Sequence, residues 1–143
     1  MNIYLKLCAL CVSSAFFFLK SVVAEDYTIT NAVKYEMTRS VETSDGIFMG
    51  LVAEGVWTDS RGNKGSFVCV GYRGKELLAH CNSTDQDGDV QFSTAKRTGT
   101  EGINTIHGGT GKYENASGAC SYQVDAFDKD VLVGLISHSC SDN

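Results

Sequence analysis

The stretch His107-Gly-Gly-Thr-Gly-Lys-Tyr113 admits two readings that put the chain in different structural classes. Its glycines and lysine suggest a loop cradling phosphate. The same residues suit a tight turn between strands. A P-loop requires glycine, four residues, then Gly-Lys-Ser/Thr. Counting back from Gly111-Lys112 puts Ile106 where the first glycine belongs, and Tyr113 stands where a small hydroxyl is needed. A dinucleotide loop requires a following helix, and "YENASGAC" (113–120) is too short and polar for one. The turn reading remains, with Gly108, Gly109, Gly111 and Gly118 supplying backbone angles closed to other residues. Tyr113 is expected to plug one end of the structure that the turn closes.

The surrounding chain has the punctuation of an all-β protein. It contains 15 glycines and no proline, and its apolar segments are short. Strands are expected at Tyr27–Thr38, Ile47–Thr58, Gly65–Tyr72, Glu76–Asn82, Asp89–Arg97, Gly102–His107, Ser117–Phe127 and Val131–Cys140. The turns between them ("TSDG", "DSRGN", "YRGK", "DQDGD", "DKD") are rich in Asp, Asn and Gly, which tolerate left-handed angles. Eight short strands on short loops predict an antiparallel meander, and closing it into a single eight-stranded β-barrel removes exposed edges.

Residues 1–24 read as a secretory signal. Lys6 precedes an apolar run from Leu7 to Leu19, and "SVVA" (21–24) offers small residues at Val22 and Ala24 for cleavage. The run is shorter than the roughly 20 residues of a spanning helix. The β-barrel domain is then 25–143, with no membrane attachment after cleavage. The net charge of −5 is spread along the chain without a basic stripe, which excludes nucleic acid as the expected partner.

Of 6 cysteines, Cys8 and Cys11 leave with the signal. Cys69 and Cys81 are equidistant from Lys75, and Cys120 and Cys140 from Asp130. Opposite residues of an antiparallel hairpin are equidistant from its turn, at separations that suit a disulfide. Two hairpin disulfides, Cys69–Cys81 and Cys120–Cys140, are therefore expected, with a pairing across the barrel as the alternative. Such bonds belong to a secreted or periplasmic protein.

Other motifs carry less chemistry. "STDQDGDV" (83–90) resembles an EF-hand loop, but Ser83 and Thr94 occupy positions that need strong ligands, and flanking helices are missing, so a hairpin turn is expected, with a weak Ca²⁺ site as the alternative. His80, His107 and His138 lie far apart, and no metal or cofactor is expected. No Gly-x-Ser-x-Gly elbow is present. Asn82-Ser-Thr84 and Asn115-Ala-Ser117 are glycosylation acceptors in a eukaryotic host. In "IFMGLVAEGVW" (47–57), Glu54 is a lone acid on a strand with two apolar faces. Burial would raise its pKa and suit it to acid–base work, whereas a rim position would leave it inert. Glu54, Tyr72, Tyr122 and His138 are the candidate ligand-binding residues of a shared lumen.

"GGTGKYENASG" (108–118) resembles the glycine signature of the allene oxide cyclase and dirigent β-barrel superfamily. "VWTDSRGNKG" (56–65), "CVG" (69–71) and "DQDGD" (85–89) resemble its uncharacterised secreted bacterial subgroup. The resemblance implies an eight-stranded antiparallel barrel with an apolar cavity, often a homo-oligomer. Plant cyclases of the superfamily close a reactive epoxide into a ring with a carboxylate, bound water and a shaped pocket, and dirigent members steer radical coupling. Their catalytic residues have no one-to-one match here, and the lack of proline departs from the plant proteins. The expected function is lumenal binding of an apolar small molecule. The alternatives are an isomerase or cyclase of the allene oxide cyclase type, with Glu54 as acid or base, and a structural or interaction module at the cell surface.

Overall fold

A computed structural model describes residues 25–141. The expected signal segment, 1–24, lies outside the described residues. The strands are β1 (Asp26–Thr43), β2 (Gly46–Asp59), β3 (Lys64–Arg73), β4 (Leu77–Asp85), β5 (Val90–Thr98), β6 (Glu101–Gly109), β7 (Gly118–Asp128) and β8 (Val133–Ser141). Each pairs with the next in antiparallel register, and β8 returns to β1, closing an eight-stranded barrel. No helix among the described residues is long and apolar enough to cross a membrane.

Period-two alternation separates lumen from surface. Along β1, Asn31, Val33 and Tyr35 face inward, while Ala32, Lys34 and Glu36 are exposed. The core is built from Val33, Tyr35, Leu51, Leu77, Tyr122 and Ile136, with small residues at Ala53 and Ala79. Both disulfides are in this wall: Cys69 lies opposite Cys81 with Cα atoms 4.0 Å apart, and Cys120 opposite Cys140 at 4.3 Å. The hairpin symmetry read from the sequence is what aligns them.

β1 runs beyond Thr38. Its register shifts between Met37 and Ser40, and the last residues pair with the start of β2 as an arm outside the barrel. The turn closing that arm is held by Thr43, whose hydroxyl donates to the Gly46 carbonyl at 2.8 Å. β8 begins two residues later than expected because Leu132 adopts φ 56° to turn the chain. Leu132 packs against the core there, and its carbonyl accepts the Tyr35 amide at 2.8 Å.

The glycine motif joins β6 to β7 through a short 3-10 turn, Gly111–Tyr113. Gly108, Gly111 and Gly118 have φ of 101°, 51° and 145°, all in the left-handed half. A side chain at Gly111 would collide with the Asp89 carboxylate. The motif clamps the "DQDGD" turn: Lys112 Nζ lies 2.7 Å from Asp85 Oδ2 and 3.1 Å from Asp87 Oδ2. The Asp87 and Asp89 amides donate to Asp85 Oδ1 at 2.8 and 3.1 Å. The lysine ammonium stands among the carboxylates that resembled a Ca²⁺ loop.

Candidate functional site

One row of inward residues runs round the barrel in register: Arg73 opposite Leu77, Leu77 opposite Arg97, Arg97 opposite Gly102, Gly102 opposite Tyr122 and Tyr122 opposite His138. Gly102 is in this row for a steric reason. A Cβ there would lie 2.4 Å from the Tyr122 ring and 2.5 Å from the Lys96 carbonyl oxygen. The ring crosses the space the glycine leaves and stacks on His138, with centroids 5.2 Å apart.

His138 is buried, and Asn31 Nδ2 donates to its Nε2 at 3.1 Å. That contact makes Nε2 the acceptor and assigns the proton to Nδ1. Burial pushes the imidazole pKa down to about 4, against the opposing pull of Asp125, so the ring is neutral. Burial also raises the Tyr122 phenol to about 12, with Arg97 acting in the opposite direction. At neutral pH both groups are uncharged and protonated.

Three chambers that share lining residues occupy the barrel. The central one, of about 70 Å³, is lined by apolar side chains such as Val33, Leu51, Phe67 and Ile136, with Asn31, Asn104, Arg97 and His138 among them. The second, of about 80 Å³, shares Asn31, Asn104 and His138 and ends at Trp57, Asp59, Arg61 and Tyr113. The third, of about 120 Å³, opens the opposite end between Tyr35, Met37, Leu77, Arg97, Val124 and Phe127. Asn31 Oδ1, Asn104 Oδ1, Trp57 Nε1 and His138 Nδ1 are buried without a hydrogen-bond partner. Two acceptors and two donors, all on residues lining the second chamber, are thus unpartnered. Each leaves about 1–3 kcal/mol of desolvation uncompensated.

The Trp57 end is closed by ordered charge. Arg61 lies 3.6 Å over the Tyr27 ring centroid and 3.5 Å from Asp59. Burial of Asp59 opposes its charge, but hydrogen bonds from Asn63 and the nearby Arg61 hold the carboxyl below its ordinary value. Tyr113 lines the same chamber, at the barrel end where the glycine motif was expected to put it.

No protein-family model and no curated protein sequence matches the chain. Among solved structures, a pterocarpan synthase dirigent protein superimposes with a TM-score of 0.56 at 12% identity, over 98% of this chain and 97% of that one. This chain has the dirigent barrel fold. At that identity the likeness speaks for the fold, and the chemistry of this dirigent-type barrel rests on its own lumen.

Of the residues expected to share that lumen, the dirigent-type barrel brings together two, Tyr122 and His138. Glu54 and Tyr72 do not join them. Glu54 is exposed on the outside of β2, opposite Lys34 and Val68, and Tyr72 is exposed beside Phe48. The physical reason is the cost of burying a carboxylate without a partner: the face of β2 holding Leu51, Ala53 and Trp57 turns inward, and the face holding Glu54 turns out. His80 and His107 are also outside, bridged by the Thr94 hydroxyl at 3.4 and 2.8 Å. Asn31, Trp57, Arg97 and Asn104 were not singled out from sequence. For Asn104 the available signal was a polar residue at an inward phase between small ones, Ala95 and Cys120.

Proposed function

We propose that the chain binds a small, mostly apolar molecule inside the barrel, oriented by hydrogen bonds to Asn31, Asn104, Trp57 and His138. The observation that carries this reading is four unpartnered polar atoms on residues lining one chamber, three of which, Asn31, Asn104 and His138, also line the apolar central cavity. Pockets of that composition are the usual design of small-molecule sites. The single tryptophan of the chain is one of the four, so its emission reports occupancy directly. The test is titration of the oxidised protein with neutral, ring-sized alcohols and phenols. A saturable shift of Trp57 emission that is lost in Asn104→Leu supports the reading, and a flat response to every probe overturns it.

The expected compartment is oxidising, secreted or periplasmic, which the two disulfides support. Assembly with further copies of the chain is supported by the outer face of β2 and β3, where Val56, Val68, Val70 and Tyr72 are exposed together.

A second reading, an isomerase or cyclase, is favoured by the His138–Tyr122 pair rather than by Glu54. A neutral imidazole with an unpartnered Nδ1–H beside a protonated phenol can move a proton on a bound molecule. This reading requires His138→Gln to retain binding and lose turnover.

A further inference from the structure

We propose that the wide end of the lumen is an anion site, in which Arg97, with Arg73 beside it, receives the carboxylate of a compact organic acid. The inference rests on the lumenal-binding reading and names the class of molecule bound. Arg97 lines both the central cavity and the 120 Å³ chamber, and Arg73 lines the latter. Both flank Leu77 in register, on the strands to either side of β4. Among the described residues, neither guanidinium has an ion-pair partner.

No carboxylate lines the 120 Å³ chamber; Glu76 and Glu101 share only the outer groove beside Arg97. Glu76 pairs with Lys96. The chain carries a net charge of −5, yet this mouth holds two unpaired cations over an apolar chamber. Arg97 is half-buried and Arg73 exposed; a half-buried cation without a partner is costly, and a ligand anion at Arg97 removes that cost. A guanidinium meets a carboxylate through two parallel hydrogen bonds, which makes a planar carboxylate the fitting head group. Leu51, Val124, Met37 and Phe127 form apolar walls for the body of the molecule. The volume suits a single ring or a short chain.

The test compares benzoate with benzyl alcohol, which share a ring and differ in charge, by ligand-detected NMR and calorimetry on the oxidised protein. Benzoate is expected to bind about tenfold more tightly than the alcohol, because a charge-assisted hydrogen bond contributes on that scale. Arg97→Met is expected to remove that advantage, bringing benzoate affinity down to that of the alcohol, and Arg97→Lys to restore part of it. Arg73→Met is expected to lower benzoate affinity less than Arg97→Met does, and serves as the test if Arg97→Met fails to fold. Equal binding of the two probes overturns the anion site and leaves lumenal binding standing. No binding of either overturns both. A benzoate preference that survives in Arg97→Met and Arg73→Met also overturns the assignment.

Discussion

Lys112 Nζ lies 2.7 Å from the fully buried carboxylate of Asp85. This contact joins the two turns most distinctive in the sequence, "DQDGD" and "HGGTGKY". Burial works against the Asp85 charge. Lys112, the Asp87 and Asp89 amides and the Tyr113 hydroxyl outweigh it and hold the carboxyl below its ordinary value. Lys112 and Tyr113 therefore fix the turn through one acceptor.

Removing the ammonium leaves that carboxylate buried without its counter-charge, which is the costly half of a broken pair. Lys112→Met is expected to lower the melting temperature by several degrees, and Lys112→Met with Asp85→Asn by less than the two singles added together. A thermal double-mutant cycle measures the coupling. Because the folded-state pKa of Asp85 is depressed, its contribution is present at neutral pH. It is lost as pH falls below the ordinary carboxylate range of about 4. Asp85→Asn should flatten that part of the acid profile.

His138 sets a second pH dependence, in a higher window. Its folded pKa of about 4 lies below the unfolded value of 6.5, so only the unfolded chain takes up a proton between them. Stability is therefore expected to fall as pH drops from 6.5 to 4, by about 3 kcal/mol if the shift is fully expressed. Urea midpoints of the wild type and His138→Gln across that range isolate the effect, because the variant lacks the titrating group.

Gly102 and Tyr122 provide a steric prediction. Gly102→Ala puts a methyl group into the Tyr122 ring and a backbone carbonyl, and it is expected to cost about 1–3 kcal/mol, the range for overpacking. Near-UV circular dichroism should report the displaced ring. An unaltered tyrosine signal with unaltered stability would contradict the described packing.

Asn104 separates stability from binding. Replacing it with leucine removes an unpartnered buried acceptor at nearly constant volume. Asn104→Leu is expected to raise the denaturation midpoint while weakening the binding seen through Trp57. Sites built for ligands commonly show this opposition.

Reduction is expected to lower the melting temperature, since each disulfide restrains the unfolded chain by about 3 kcal/mol. The Cys120–Cys140 loop spans 20 residues against 12 for Cys69–Cys81, so loss of the former should cost slightly more. Melting curves of the two double-alanine variants make the comparison.

The strand count and the cysteine pairing were legible because both are local. Turn residues mark each hairpin, and a cysteine and its partner are equidistant from that turn. The extension of β1 was not legible, because the register shift after Met37 leaves no mark in "MTRS". The lumen was half legible. Tyr122 and His138 sit on strands whose inward phase the cysteines fix, two residues from Cys120 and Cys140. Glu54 and Tyr72 were misplaced because the outside of β2 and β3 is nearly as apolar as the inside, with Val52, Val56 and Val70 facing out. Asn31 and Asn104 were not legible because asparagine suggests turns, and only closure of the barrel turns them inward, Asn31 between Trp57 and Ile136 and Asn104 between Ala95 and Cys120.

Both disulfides join strands that are consecutive in the chain, each within one hairpin. Every cysteine of the described domain therefore meets its native partner as soon as that hairpin forms. Oxidation can proceed in segments, the Cys69–Cys81 hairpin before β8 reaches β1. Correct pairing then needs no reshuffling of bonds, and maturation asks only for a thiol oxidant rather than an isomerase.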